Sequence, residues 1–298
     1  MAFDTALTII SDASTELGLG AVSDAFGSTD ANVVQLRGLL KSCGRKVQKA
    51  RAWKQLQRQY VFQTTTNQGR YALPLDYGRY ISGTTWNRSN RLPVGNTSPQ
   101  DFEALKGRIG GVVYNILFRV LQGNFQAYPD NTTQGSWVVA FEYTSSFWVS
   151  LASVTAATRG TWNNGTVYSA SDTVEHGGRI YTTAAGGTSG TYGPIGTTGT
   201  ISDGGVNWTY VGVAGADAPV ANSDTVNFDS NLMSRCLKLA WLEAKGLDTT
   251  AAAADYNQAL AGSFDDDSQG PTLRVTGPSV MRQPLLSYRN IPDSGFGS

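Results

Sequence analysis

His176 is the one histidine in a chain of 298 residues, and it sits in the turn "VEHGGR". It is also the only side chain type whose ordinary pKa lies near neutrality, so acid–base chemistry at pH 7 starts from it or from a strongly perturbed group. Nucleophilic catalysis needs a nucleophile, a base and an orienting third group within hydrogen-bond reach. The Ser and Asp residues around His176 belong to a segment rich in both, and their spacing singles out no triad. Zinc needs clustered Cys and His, whereas the two cysteines, Cys43 and Cys236, are far apart in sequence. A phosphate loop needs G-x-x-x-x-G-K-S/T; "GLLKSCG" lacks the glycine before its lysine and falls inside a helical pattern. Eighteen aspartates leave paired-carboxylate chemistry open, but the run Asp265, Asp266, Asp267 reads as an acidic turn ending a helix rather than as a metal site. The residues predict no catalytic side chain, no metal and no cofactor.

Two sets of residues remain that could bind something. Arg37, Lys41, Arg45, Lys46, Lys49, Arg51, Lys54 and Arg58 lie in a stretch that has no acidic residue from Ala31 to Leu75. Such a run is either a solvated face or a surface for an anion, nucleic acid or an acidic protein. The whole chain carries 23 basic and 23 acidic residues, so any electrostatic bias is local to that stretch. The second set is aromatic: Trp162, Tyr168, Tyr181, Tyr192, Trp208 and Tyr210. Of these, Trp162, Tyr181 and Trp208 are candidates for a platform on which sugar rings stack. In a domain of about sixty residues the same rings are also the only large groups available for a core, which is the plainer reading.

The elements that must position these residues follow from periodicity and capping. A first amphipathic helix is predicted over residues 3–17. A second runs from an Asp30 N-cap to about Tyr60, with Val33, Leu36, Leu40, Cys43 and Val47 on its apolar stripe. Short strands follow in "YVFQTTT", "RYALP" and "RYISGTTW". A helix in "SPQDFEALKG" opens on Ser98 as N-cap with Pro99 in its first turn. Strands are predicted in "GVVYNILFRV" and "SWVVAFEY", the latter half-buried, with Trp137, Val139, Phe141 and Tyr143 facing inward.

From Thr155 to Ala214 the composition shifts to Gly, Thr and singly placed aromatics. Fourteen of the 34 glycines lie between Gly160 and Gly215, and with the paired strand patterns "RIYTT" and "VNWTYVG" they read as a small β-domain inserted into a loop. The helical pattern returns over 223–246 and 249–264. The fold class is therefore α+β: a helical bundle with small mixed β-structure, plus an inserted all-β domain and an extended C-terminal arm. The division is 1–150 with 220–266 as a discontinuous helical domain, 151–219 as the insert and 267–298 as the arm. The arm's prolines preclude a helix, and Leu273, Val275, Leu285, Leu286, Tyr288 and Ile291 suit docking on a partner. Asp4 and Asp12 come too early for a signal peptide, no apolar run reaches membrane-spanning length, and both cysteines sit in helical apolar patterns as buried thiols. The expectation is a protein folded in a cytoplasm, without a disulfide or a membrane partner.

The order of these elements resembles the head-to-tail adaptor proteins of short-tailed phages, known as tail tubular protein A or packaged-DNA stabilisation proteins. The stretches that carry the likeness are "YVFQTTTNQGRYALPLDYGRYIS", "SPQDFEALKG" and "NFQAYPDNTTQGSWVVAFEYTSSFWV", with the returning helix after them. The insert, "YSASDTVEHGGRIYTTAAGGTSGTYGPIGTTGTISDGGVNWTYVG", is similar to small modules of phage structural proteins, some of which resemble chitin-type carbohydrate-binding modules. Ser171 stands before Asp172 where that pattern usually has glycine. The resemblance implies a structural virion protein of the tail or neck, made in the host cytoplasm. It implies a homo-dodecameric ring joining the portal protein to the tail nozzle protein, with packaged double-stranded DNA in its channel and the C-terminal arm reaching the portal. A tail fibre or spike is a further implied partner. On this view Arg37, Lys41, Arg45, Lys49 and Arg51 serve assembly or face the DNA channel. The alternative function is a tail-associated carbohydrate-binding or carbohydrate-degrading protein that works through the insert.

Overall fold

The computed structural model describes residues 3–66, 68–107, 116–128, 136–152 and 159–268. Along the chain, helices α1 (Ala6–Glu16) and α2 (Ala31–Ala50) lead into strands β1 (Gln57–Gln63), β2 (Arg70–Ala72), β3 (Tyr77–Tyr80), β4 (Trp86–Asn87), β5 (Leu92–Pro93) and β6 (Gly95–Asn96). Helix α3 (Pro99–Gly107) precedes β7 (Leu117–Leu121), β8 (Asn124–Tyr128), β9 (Val138–Ser145) and β10 (Val149–Ser150). Only strands follow until the chain returns: β11 (Arg159–Thr161), β12 (Val167–Tyr168), β13 (Thr173–His176), β14 (Arg179–Thr183), β15 (Gly187–Thr188), β16 (Thr200–Asp203) and β17 (Val206–Val213). Strands β18 (Gly215–Ala216) and β19 (Thr225–Val226) then bring in helices α4 (Ser230–Lys245) and α5 (Thr250–Ser268). The described residues thus form an α+β structure of five helices and several small sheets.

The helices form where stripe and cap agree. Asp30 caps α2, its carboxylate accepting from the amides of Asn32 at 2.7 Å and Val33 at 3.3 Å, and Asp229 caps α4 by accepting from Leu232 at 3.1 Å. Gly246 closes α4 in the left-handed conformation. Helix α4 packs against α1, α2 and α5, and the apolar faces of these four helices share one core that includes Trp53, Trp148 and Phe228.

Helix α2 stops at Ala50 rather than near Tyr60. Trp53 turns back so that its indole N–H donates to the Val47 carbonyl at 2.7 Å, taking up an acceptor of the last turn. The residues beyond gain more as a strand. Gln57–Gln63 pair with Thr144–Val138 over seven residues and insert Tyr60 and Phe62 into an aromatic core with Phe118, Phe125 and Phe141. Helix α4 begins at Ser230, later than 223, because Thr225–Val226 pairs with β10 instead.

Strand β9 is buried on both faces rather than half-buried. Trp137, Val139, Phe141 and Tyr143 point into the aromatic core, while Val138 and Ala140, with Val61 of β1, pack into a third core whose other members are Trp162, Val174, Tyr181, Val206 and Trp208. The second face of the sheet is therefore covered by the strands of the 151–219 segment. That segment forms a five-stranded sheet in the order β11-β13-β14-β17-β16 and a two-stranded pair, β12-β15. Where the chain leaves and returns, β10 lies between β18 and β19. There the buried Asp224 carboxylate accepts from the amides of Ala152 at 3.0 Å, Val220 at 2.7 Å and Ala221 at 2.8 Å. Helix α5 continues through Ser268, two residues past the expected end of the helical domain at 266.

Candidate functional site

Most of the basic side chains of α2 and its exit hold other parts of the same chain. Arg37 donates to the Phe26 carbonyl at 3.1 Å and lies over that ring. Arg45 forms an ion pair with Asp217. Lys46 stands 4.8 Å from the centre of the Tyr256 ring. Arg51 donates to the Phe264 carbonyl at 2.8 Å and approaches Asp267 at 3.6 Å, and Arg58 approaches Glu175 at 3.8 Å. Lys41 and Lys49 are exposed and form no ion pair among the described residues. The outward face of α2 therefore reads Val34, Gly38, Lys41, Arg45, Lys49, at helical spacing. The eight-cation run is thus divided: acidic partners distant in sequence meet Arg45, Arg51 and Arg58, Arg37 and Lys46 pack against rings, and Lys41, Lys49 and the exposed Lys54 form no ion pair among the described residues.

The acidic run ends a helix, as expected from the sequence. Asp265, Asp266 and Asp267 lie within α5, and Asp267 is buried at 6% exposure. Its carboxylate accepts from the backbone N–H of Lys54 at 3.0 Å and faces Arg51, so it ties the end of α5 to the end of α2 across 213 residues of sequence. Among the described residues no group of three or more His, Cys, Asp or Glu is arranged to hold a metal. Cys43 and Cys236 are buried free thiols on facing helices. Their mutual hydrogen bond, with burial, holds the Cys43 thiol far above its ordinary value and so protonated.

His176 is a packing residue at the joint between the 151–219 segment and the β1–β9 sheet. Its ring stacks on Tyr60 at 5.0 Å and meets the edge of Trp162 at 5.4 Å, and its Nδ1–H donates to the Pro194 carbonyl at 3.0 Å. Burial lowers its pKa to about 4, so the ring is neutral at pH 7. The Gly177–Gly178 turn beside it has positive φ at both residues, and there is no room for side chains: a Cβ on Gly177 would lie 2.8 Å from the Tyr60 ring and one on Gly178 2.7 Å from the Asp76 carboxylate. Leu75 N–H donates to the Gly177 carbonyl at 3.1 Å, and the buried Asp76 accepts from Tyr143 Oη at 2.6 Å. The "VEHGGR" turn is thus the plug that seats the segment on the sheet. Enclosed by two aromatic rings and a carbonyl, His176 is not placed to reach a substrate.

The three candidate platform rings lie in the core. Trp162 is 4% exposed, Tyr181 and Trp208 0%, so none offers a face for a sugar to stack on. Their polar atoms explain the arrangement. The buried carboxylate of Asp203 accepts from the indole N–H of Trp162 at 2.8 Å and of Trp208 at 3.0 Å, and from the amide of Gly190 at 2.8 Å. Asp203 was not singled out from sequence, although "DGG" before a tryptophan-bearing strand is the signal that could have marked it. Ser171 has φ +68°, a left-handed conformation that glycine adopts at less cost than serine. The six arm residues, Leu273, Val275, Leu285, Leu286, Tyr288 and Ile291, lie outside the described residues.

No protein-family model matches the chain, and no curated protein matches it either. No described helix is long and apolar enough to cross a membrane.

Proposed function

We propose that the chain is a structural virion protein: a head-to-tail adaptor that assembles as a ring between the portal protein and the tail nozzle of a short-tailed phage and helps retain the packaged DNA. In this reading the four packed helices and the small sheets, 1–150 with 220–266, are the adaptor body. The 151–219 strands are an inserted all-β domain, and 267–298 is an arm that docks on the portal through Leu273, Val275, Leu285, Leu286, Tyr288 and Ile291. The protein acts without catalysis, in the tail or neck of the virion, after synthesis in the host cytoplasm.

The observation that carries the reading is the outward face of α2. A rigid helix of 20 residues presents Lys41 and Lys49 without a carboxylate partner among the described residues, beside the exposed Val34 and an open Gly38. A stripe of this kind, repeated around a ring, multiplies a weak attraction for an acidic protein surface. A channel through which DNA slides needs few contacts per subunit, and few free cations remain here to make them. The acidic partner is a neighbouring copy or the portal, and the tail nozzle and a tail fibre or spike attach elsewhere. The burial of Trp162, Tyr181 and Trp208 weighs against a carbohydrate-binding role for the insert. Reversing Lys41 and Lys49 to Glu tests the reading: ring assembly on the portal is lost while the chain's thermal unfolding is unchanged. Normal assembly of the double variant, with genomes that leak from the particle, assigns the face to DNA instead.

A further inference from the structure

A second surface stands apart from α2 and from the adaptor reading. On the sheet formed by β2, β8 and β7, Arg70 pairs with Gln126 and Gln126 pairs with Arg119, so these three side chains form a cross-strand row on one face. Helix α3 covers one end of the row: Arg119 lies 4.5 Å from the centre of the Phe102 ring and donates from Nη2 to Glu103 at 2.7 Å. The other end, Arg70, is exposed, and no ion pair or side-chain hydrogen bond of its guanidinium is present among the described residues. Between the two ends is a cleft of about 620 Å³ lined by Gly69, Arg70, Phe102, Lys106, Gln126 and Tyr128.

Gln126 stands at the middle of the row. It is 4% exposed and lines the cleft. Arg119 Nε, which can only donate, gives its hydrogen to Gln126 Oε1 at 3.0 Å, so the amide orientation is fixed and the NH₂ group is the end left over. That NH₂ has no hydrogen-bond partner among the described residues and is not sealed from solvent, so it is a free donor open to the cleft. Lys106 reaches the same cleft, 3.5 Å from Glu103 and 4.9 Å from the Phe102 ring centre. Along the row stand three cations, Arg70, Lys106 and Arg119, and one carboxylate, Glu103, which pairs with the last two, an excess of two positive charges.

We propose that this cleft binds a carboxylate side chain carried on an extended segment of a partner protein, with the Gln126 NH₂, the Arg70 guanidinium and the Lys106 ammonium as its donors. The charged groups that line the cleft are both cations and the free end of Gln126 donates, so an anionic acceptor is the favoured ligand. The cleft falls within the size range that takes a ligand of several residues, roughly 300–1,000 Å³, and a lone phosphate would leave most of it empty. A DNA duplex presents its phosphates on a broad convex rod that a concave cleft of this size does not admit.

The test uses full-length ¹⁵N-labelled protein and three probes: the blocked peptide acetyl-Gly-Glu-Gly-amide, the same peptide with Gln for Glu, and inorganic phosphate. The Glu peptide is expected to shift the Gln126 side-chain amide signal saturably, with the Gln peptide about tenfold weaker or more. Gln126→Glu keeps the acceptor for Arg119 and replaces the donor with an oxygen, and exposed Arg70→Ala removes a cation without touching the core. Each is expected to weaken Glu-peptide binding at least about tenfold with little change in thermal unfolding. No saturable shift with the Glu peptide, equal binding of the Gln peptide, or binding that survives Arg70→Ala overturns the proposal. Saturable binding of phosphate without the peptide also overturns it and makes the cleft a small-anion site.

Discussion

Acid should loosen the seat of the 151–219 segment through His176. The ordinary imidazole pKa is 6.5 and burial lowers it to about 4 in the folded chain, so the neutral ring is the form that the folded state prefers. The associated stability is present above pH 6.5 and is lost as pH falls towards and through 4. With about 1.4 kcal/mol per unit, the loss relative to pH 7.5 is roughly 2 kcal/mol at pH 5 and approaches roughly 3 kcal/mol below pH 4. His176→Phe keeps a ring between Tyr60 and Trp162 but cannot titrate, and it gives up the hydrogen bond to Pro194, worth about 1 kcal/mol. The variant should therefore be less stable than the natural chain at pH 7.5 and more stable at pH 5. Urea unfolding followed by tryptophan fluorescence at the two pH values measures both. Because the chain has one histidine, a difference in slope between the two proteins belongs to that residue. Parallel pH dependences, without a crossing, would refute the reasoning.

Three further substitutions have defined outcomes. Asp267→Ala removes the acceptor of the Lys54 amide and the carboxylate facing Arg51, and should cost about 1–3 kcal/mol in the unfolding of the helices, with Asp267→Asn losing less; circular dichroism in urea checks both. On α2, Gly44→Ala would place a methyl 2.2 Å from the Trp148 ring and should destabilise by about 2 kcal/mol. Gly38→Ala faces open space and should stabilise by up to about 1 kcal/mol, a contrast that thermal unfolding of the pair measures. Ser171→Gly relieves a left-handed backbone and should raise stability by about 0.5–1 kcal/mol; an unchanged or lower unfolding temperature would speak against strain at that turn.

Local signals were legible where their cause is local. Asp30 and Ser98 read as caps from sequence, and both carry the capping hydrogen bonds, Ser98 Oγ accepting from Asp101 N at 3.1 Å. The returning helices were visible in their apolar spacing because α4 buries one continuous side, from Leu232 to Trp241. The end of α2 was not legible, since Leu56 and Tyr60 fit a helical stripe as well as a strand and the choice is made by β9, some eighty residues on. The second buried face of β9 depends on a segment that returns from elsewhere in the chain, and a period-two pattern carries no sign of it. Charge told least. Arg45, Arg51 and Arg58 look free in a run without acids, yet Asp217, Asp267 and Glu175 meet them from the far side of the fold. His176 drew notice as potential chemistry and the aromatic set as a potential platform, because residue type signals reactivity while burial decides it.

The adaptor account is tested most directly by native mass spectrometry of the full-length chain mixed with portal rings from the same virus. The account predicts that the portal ring gains a defined, stoichiometric complement of this chain, and that the Lys41→Glu, Lys49→Glu double variant adds none. A portal ring whose mass stays unchanged at saturating concentrations of the natural chain would contradict it.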